Sequence, residues 1–271
     1  FTILRDRGLP NLRHLSTSMC PAHRAAVLDD VRRWLDPEHP QPCCLVATQC
    51  IEAGVDVDFA AVFRAFAPLD AIAQAAGRCN RHGRRPSARV VVFRPDDPGR
   101  QYPTDAYAQA ALVTDALLRR HGAGGMDLYD PALCDEYYRE LYDLTRPEKQ
   151  REELLAAIEC QDFPEVARLY RVIEQDAVNV LVPYAPAADE VARLEEEVRR
   201  EGLSARWVHR ARPYTISLFR PRDRDAVWHF LDPVPIVGGH AAHDWFVYTR
   251  PEHYDEDLGL LPPDGSEAWI I

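Results

Sequence analysis

Through its first hundred residues the chain alternates two patterns: short unbroken apolar runs, and stretches whose apolar positions recur every three or four residues. Cys44–Thr48, Ala61–Phe66 and Ala88–Phe93 read as buried parallel strands, and His23–Leu35 and Asp70–Asn80 have helical spacing. Such alternation predicts an α/β layer structure. After the turn-rich "RPDDPGR" (Arg94–Arg100) the pattern becomes helical. Thr104 is placed to cap a helix with Tyr107, Ala111, Leu117 and Leu118 inward, ending near Gly122. Asp130-Pro131 starts another, with Leu133, Tyr137, Leu141 and Leu144 on one face; Thr145 and Asp162, each followed by an early proline, start two more. Val178–Pro183 stands as a lone strand, and Ala187–Glu201 as an amphipathic helix closed by Gly202. From Ser204 onward the chain is proline-punctuated and β-like, with strands expected around Trp207 and at Tyr214–Phe219, Val227–Leu231 and Trp245–Tyr248. Three segments are thus expected: 1–97, an α/β lobe; 98–202, a helical linker with one added strand; and 203–271, a small mixed α/β or β domain.

Composition narrows the function classes. No 18-residue apolar run and no signal-like opening occurs, so a soluble, cytoplasmic chain with no membrane partner is expected. Opening on Phe1 rather than Met, the chain is expected to be a piece of a longer product. Seven cysteines without a C-x-x-C pair indicate buried reduced thiols rather than a disulfide framework or a zinc site. The formal net charge of −11 argues against coating nucleic acid by bulk charge. The first 97 residues, however, hold thirteen arginines against eleven carboxylates. A basic groove must therefore be local.

The densest basic stretch is "QAAGRCNRHGRR", Gln74–Arg85; between Ala71 and Pro95 there are six arginines and no acid. On a continuous helix Gln74, Arg78 and Arg81 would share one face, aiming an amide and two guanidiniums together. Two guanidiniums so placed suit a phosphate whose charge spreads during transfer. For the spacing alone, a solvated basic helix end is the alternative. Upstream, "LVATQCIEAGVDVDF" (Leu45–Phe59) is a strand emptying into a loop with Thr48, Gln49, Glu52, Gly54 and Asp56, at the kind of strand end where α/β folds place ligands. "LSTSMCPAHR" (Leu15–Arg24) is another strand followed by a hydroxyl pair and a helix start.

These three stretches resemble superfamily 2 helicases: "ATQxxEAGVDVDF" their motif V, "QxxGRCNRxGR" their motif VI, and "LSTSMCPAHR" the segment after motif IV. With "YDEDLGLL" (Tyr254–Leu261), the wording looks most like the helicase–nuclease of type I CRISPR systems. The resemblance implies a second RecA-like lobe, incomplete at its N-terminus, and roles residue by residue. Arg78 and Arg81 would reach the γ-phosphate of ATP with Gln74 beside them. Gly54, Asp56 and Gly77 would lie at the nucleotide cleft, Asp56 near the ribose. Thr48, Gln49, Ser16, Thr17 and Arg24 would lie along single-stranded DNA, although for the last three ordinary capping and packing is the competing account. The RNA-guided CRISPR surveillance complex is the implied partner.

One departure is sharp. A P-loop needs G-K-[ST], and the one lysine is Lys149, in "RPEKQ". The lobe that would hold most of ATP with Mg2+ is thus missing, as is the implied nuclease domain with its divalent metal, and this fragment alone is expected to be inactive.

Three further stretches compete. "GGHAAHDW" (Gly238–Trp245) contains H-x-x-H-D, but lacks the helical context and distant partners of a metal-dependent nuclease, so no metal ligand is assigned. "ARWVHRARPYTISLFRPRDR" (Ala205–Arg224) interleaves six arginines with aromatics, which suits a single-strand channel through Arg206, Arg210 and Arg212; a hairpin with solvated arginines is the alternative. Asp56 and Asp58 flank one valine and are expected to diverge, which excludes a paired-carboxylate site. The expected function is the C-terminal portion of an ATP-dependent DNA translocase or helicase–nuclease. The alternatives are another superfamily 2 lobe, or a non-catalytic docking module bound by a regulator or inhibitor.

Overall fold

The computed structural model describes residues 1–51, 54–96, 102, 105–122, 124, 126–145, 148–170, 176–236, 240–261 and 263. In chain order the elements are α1 (Thr2–Asp6), β1 (Leu12–Leu15), α2 (Pro21–Trp34), β2 (Cys44–Ala47), β3 (Ala61–Ala65), α3 (Leu69–Ala76), β4 (Arg89–Phe93), α4 (Asp105–His121), α5 (Pro131–Thr145), α6 (Glu148–Glu159), α7 (Phe163–Leu169), β5 (Ala177–Leu181), α8 (Ala188–Glu201), α9 (Ala205–Ala211), β6 (Thr215–Phe219), β7 (Leu231–Pro235), β8 (Ala241–Tyr248), β9 (Tyr254–Asp255) and β10 (Gly259–Leu260). The fold is α/β, with parallel pairs β1–β2 and β3–β4 as the alternation predicts. Two compact units form along other lines than the three segments: Phe1–Ile51 with Ile173–Ile271, and Glu52–Val172.

In the first unit β5 is not a lone strand. It lies between β6 (antiparallel) and β8 (parallel) in the four-stranded sheet β6-β5-β8-β7. Its residues Val178, Val180 and Leu181 are fully buried, as an interior strand covered on both faces requires. On one face α8 and α9 pack Leu194, Val198, Trp207 and Ala211 against Leu181, Trp245 and Val247. Against the other face lie Cys20 and Leu260, from opposite ends of the chain, beside Val178, Val180, Leu218 and Phe246. Burying an aliphatic side chain this fully contributes about 1.5–3 kcal/mol.

The expected strand at Trp207 is a helix. Ser204 accepts a hydrogen bond from the Trp207 amide at 3.2 Å and so caps α9, whose Trp207 and Ala211, four apart, turn inward together. The Trp207 indole N–H donates to the Leu194 carbonyl at 2.8 Å, which makes its burial affordable. Val227 likewise begins no strand: Asp225 caps a 3-10 turn, Ala226–Phe230, and β7 starts only at Leu231. Gly202 ends α8 as expected.

In the second unit α4 and α5 pack Val113, Leu117, Leu133 and Tyr137 against Leu69 at the start of α3. Tyr137 donates its hydroxyl hydrogen to Asp70 at 3.1 Å; burial, then the Asp70 charge, drive its pKa upward. The N-terminal end of α3 is thereby anchored. Two helical expectations fail here. Leu144 is exposed, and Thr145 closes α5 by donating to the Leu141 carbonyl instead of opening the next helix. Asp162 does cap α7, through the Glu165 amide. Thr104, Glu52 and Gly238 lie outside the described residues. Among the described residues no helix is long and apolar enough to cross a membrane. All seven cysteines are free thiols, but contrary to expectation Cys20 alone is buried, Cys160 is exposed and the other five are half-buried.

Candidate functional site

The arginine stretch is not one helix. α3 stops at Ala76, where the Gly77 amide donates to Ala73 and the Arg78 and Cys79 amides tighten onto Ala75 and Ala76. Gln74 is therefore on the exposed side of α3, whereas Arg78 and Arg81 lie on the turns that follow it, so the shared helical face does not exist. Their order is fixed differently. Phe59, at the end of the preceding loop, donates to the Arg78 carbonyl and accepts from the Asn80 amide, both at 2.9 Å. Asn80, at φ 49°, then clamps Arg85, accepting from its amide and donating to its carbonyl at 2.9 Å.

The stretch is also not free of carboxylates, because the fold brings two from outside it. Val55 and Val57 are buried, so the period-two alternation turns Asp56 and Asp58 outward together rather than apart. Asp58, with its side chain only 12% exposed, accepts the Arg81 amide at 2.9 Å and the His82 amide at 3.4 Å and pairs with the Arg85 guanidinium at 3.1 Å. Asp56, 68% exposed, pairs with the Arg81 guanidinium at 3.0 Å. Each carboxylate answers an arginine, which still excludes a carboxylate dyad. Asp58 and Asn80 are the organising residues that sequence reasoning missed. The D-x-D alternation against Val55 and Val57 was the available signal. Gly54 takes φ 73°, a left-handed conformation that explains glycine beside this site.

The second group of expected residues gathers in the first unit, at the C-terminal ends of β1 and β2. Leu15 is paired with Ala47, and the Thr48 amide donates to the Leu15 carbonyl at 3.0 Å. Thr48 and Gln49 are exposed there, and Thr17 is half-buried. Ser16 is buried, and among the described residues its hydroxyl has no hydrogen-bond partner. Thr17 and Arg24 line a cleft of about 450 Å³ together with Asn179, Arg212, Ser217 and Trp245. The cleft unites Thr17 and Arg24 with Arg212, expected from a separate stretch, and adds Asn179, Ser217 and Trp245. Arg206 is exposed on α9. Arg210 is engaged elsewhere: Glu197 and Glu190 hold it at 2.6 and 3.1 Å.

His243 and Asp244 are neighbours on β8 and therefore face opposite ways; among the described residues no group of three His, Cys, Asp or Glu is placed to hold a metal.

Comparison with known proteins follows the same residues. The family "CRISPR-associated nuclease/helicase Cas3, C-terminal" matches residues 3–84. The CRISPR-associated nuclease/helicase Cas3 of Haloferax volcanii is 52% identical over 66 residues, 24% of this chain and 7% of that protein. Crystal structures of T. fusca Cas3-ATP and Cas3-ADP share the fold, with TM-scores of 0.54 and 0.53 at 19% identity, covering 91% and 99% of this chain. A chain of a "CRISPR RNA-guided surveillance complex, pre-nicking" is similar at a TM-score of 0.51, 18% identity and 99% coverage. This chain spans 33–37% of those three structures. By sequence over residues 3–84 and by fold over at least nine-tenths of its length, the chain resembles the C-terminal part of a CRISPR-associated Cas3 helicase–nuclease.

Proposed function

We propose that this chain is the second-lobe portion of an ATP-dependent single-strand DNA translocase within a CRISPR-associated helicase–nuclease. Arg78 and Arg81 reach the terminal phosphate of a nucleotide held mainly by a P-loop lobe that this sequence does not contain, with Gln74, Gly77, Gly54 and Asp56 at the margin of that cleft. The carrying observation is the fastening of the Arg78–Arg81 turn to Phe59 and Asp58, which sets the backbone while the Arg81 guanidinium is paired with the exposed Asp56. An exposed ion pair contributes less than about 1 kcal/mol, so a triphosphate with more charge can draw Arg81 away. The donor set suits phosphate and not Mg2+, since Asp56 and Asp58 are both taken by arginines. Bound ATP supplies the scissile phosphoanhydride. This chain's arginines supply charge that meets the phosphate as it transfers.

Single-stranded DNA runs past Thr48 and Gln49 and through the cleft of Thr17, Arg24 and Arg212, where Trp245 lies beside the polar groups. Ser16 and Arg206 take lesser parts, and Arg210, held by Glu190 and Glu197, takes none. The surveillance complex named in the similar structure is the partner proposed for the longer protein.

The test is ATP turnover and strand affinity in the longer protein that joins this segment to a P-loop lobe. Arg78→Ala and Arg81→Lys should each depress turnover by about 10³–10⁵, since an ammonium lacks the planar fork of a guanidinium. Arg84→Ala, beyond the fastened turn, should cost about tenfold or less. Near-normal turnover in Arg81→Lys, or an equal loss of strand binding in all three, would overturn the phosphate role. Strand-stimulated ATP turnover by the 271-residue chain alone would overturn the missing-lobe reading.

A further inference from the structure

The segment Tyr254–Leu260 folds as a tight hairpin, with Gly259 opposite Asp255 and Leu260 opposite Tyr254. Asp255 closes it by accepting the Asp257 and Leu258 amides at 2.8 Å. The hairpin lies against the turn between β1 and α2. The Leu260 amide donates to the Ser18 carbonyl at 2.8 Å, and the Leu260 side chain is fully buried beside Cys20. Gly259 sits at φ 81°, and a Cβ there would stand 2.4 Å from the Ser18 carbonyl oxygen. Only glycine permits this approach. The Tyr254 hydroxyl accepts the Cys20 amide at 3.1 Å and lies 3.1 Å from His23 Nδ1.

Three successive residues of the turn region, Ser18, Met19 and Cys20, thus meet the hairpin through backbone groups. A strand-to-helix turn closes with its own local hydrogen bonds, as the Met19 amide does here on the Ser16 carbonyl at 3.2 Å. The hairpin adds a second, distant restraint on the residues that carry Thr17 and launch the helix of Arg24.

The geometry points to the Tyr254–Leu260 hairpin as a positioning element for the cleft. It holds the Ser16–Cys20 turn where Thr17 and Arg24 face Arg212 and Ser217, so strand affinity depends on residues that do not line the cleft. The inference rests on the strand-binding reading above, and its test separates the two.

The probe is a fluorescein-labelled oligothymidylate at low salt, titrated with the full chain. Gly259→Ala should weaken binding about tenfold, and Tyr254→Phe, which keeps the ring and removes only the hydroxyl, about threefold. A mere loss of stability would add to any other substitution. Positioning predicts instead that Tyr254→Phe has no further effect once Thr17 is Ala and Arg24 is Gln, while it adds to Arg212→Ala across the cleft. Amide exchange over residues 15–22 should quicken in Tyr254→Phe and stay unchanged in β5. If Gly259→Ala does not fold, Tyr254→Phe decides. Additivity with the Thr17 and Arg24 substitutions, or unchanged exchange over 15–22, overturns the proposal. A wild-type chain that binds no oligothymidylate sinks the strand reading instead, and exchange alone then decides whether the hairpin holds the turn.

Discussion

Two arginine-rich stretches, Arg78–Arg85 and Arg206–Arg224, look alike in sequence and differ in what the fold does to them. In the first, Asp58 takes two backbone amides and the Arg85 guanidinium, so the carboxylate holds the loop, and the Arg81 guanidinium pairs with the exposed Asp56. In the second, Arg210 lies between Glu190 and Glu197, seven residues apart on one face of α8, and two carboxylates meet its charge. Its neighbour Arg212 lines the cleft. Arginine density therefore says little about function. What separates a brace from a ligand-seeking group is how many carboxylates meet the guanidinium and how exposed they are.

The contrast within the first stretch breaks most decisively at Asp58. Asp58→Asn strips the charge from a largely buried acceptor of three donors, and should cost the Glu52–Val172 unit about 1–3 kcal/mol. In the longer protein, turnover should fall about tenfold or more, because the Arg81 backbone loses its anchor. Thermal unfolding of Asp58→Asn beside Asp56→Asn checks this: the exposed Asp56 should matter much less to stability, and equal shifts would erase the distinction drawn between them.

The second stretch is tested by Arg24→Ala combined with Arg212→Ala. Oligothymidylate affinity should drop about tenfold or more, and the slope of log affinity against log salt should lose about one for each phosphate contact removed. Titration at three salt concentrations measures both.

Acid should separate the units that carry the two stretches. Burial holds the pKa of His23 and of His14 below the usual histidine value. Around pH 6.5 the unfolded chain therefore takes up protons that the folded unit refuses, so stability is present at pH 7 and is lost as pH falls toward the depressed folded values. The slope is at most about 1.4 kcal/mol per pH unit for each histidine. Amide exchange at pH 7 and 5.5 should show β5 losing protection while α4, in the other unit, keeps more of its own.

The smallest effect is expected at Arg210. Arg210→Ala should leave oligothymidylate affinity within about twofold, because its charge is spent on Glu190 and Glu197. A loss equal to that of Arg212→Ala would return Arg210 to the strand.

What could be read from the sequence follows from how far each interaction reaches along the chain. The parallel strands, the Asp162 cap and the Gly202 stop depend on residues within a turn of one another, and they stand where expected. The Gln74–Arg81 face failed because helical periodicity was extended through Gly77, where the backbone turns away. β5 looked solitary because the residues it pairs with, Thr215–Phe219 and Trp245–Val247, lie far outside any local window. α9 was hidden because its inward face is just Trp207 and Ala211, too short to register a period before Pro213. The pairing of Arg210 was accessible, since Glu190 and Glu197 share a helix face, but only to a reading that places α9 against α8.

The hydrogen bond from Leu260 to Ser18 also sets an order of events during synthesis. The sheet that completes the first unit draws on residues up to Tyr248, and its cover on Leu260, whereas Glu52–Val172 has all its own residues in hand long before. A ribosome adding about 5–20 residues per second leaves β1, β2 and α2 waiting roughly ten seconds or more for their partners. Meanwhile the interposed unit can condense, since its contacts close shorter loops. In the nascent chain His23 on α2 therefore has neither Tyr184 nor Tyr254 to pack against until those residues are made, and the helix lacks that cover over the same interval.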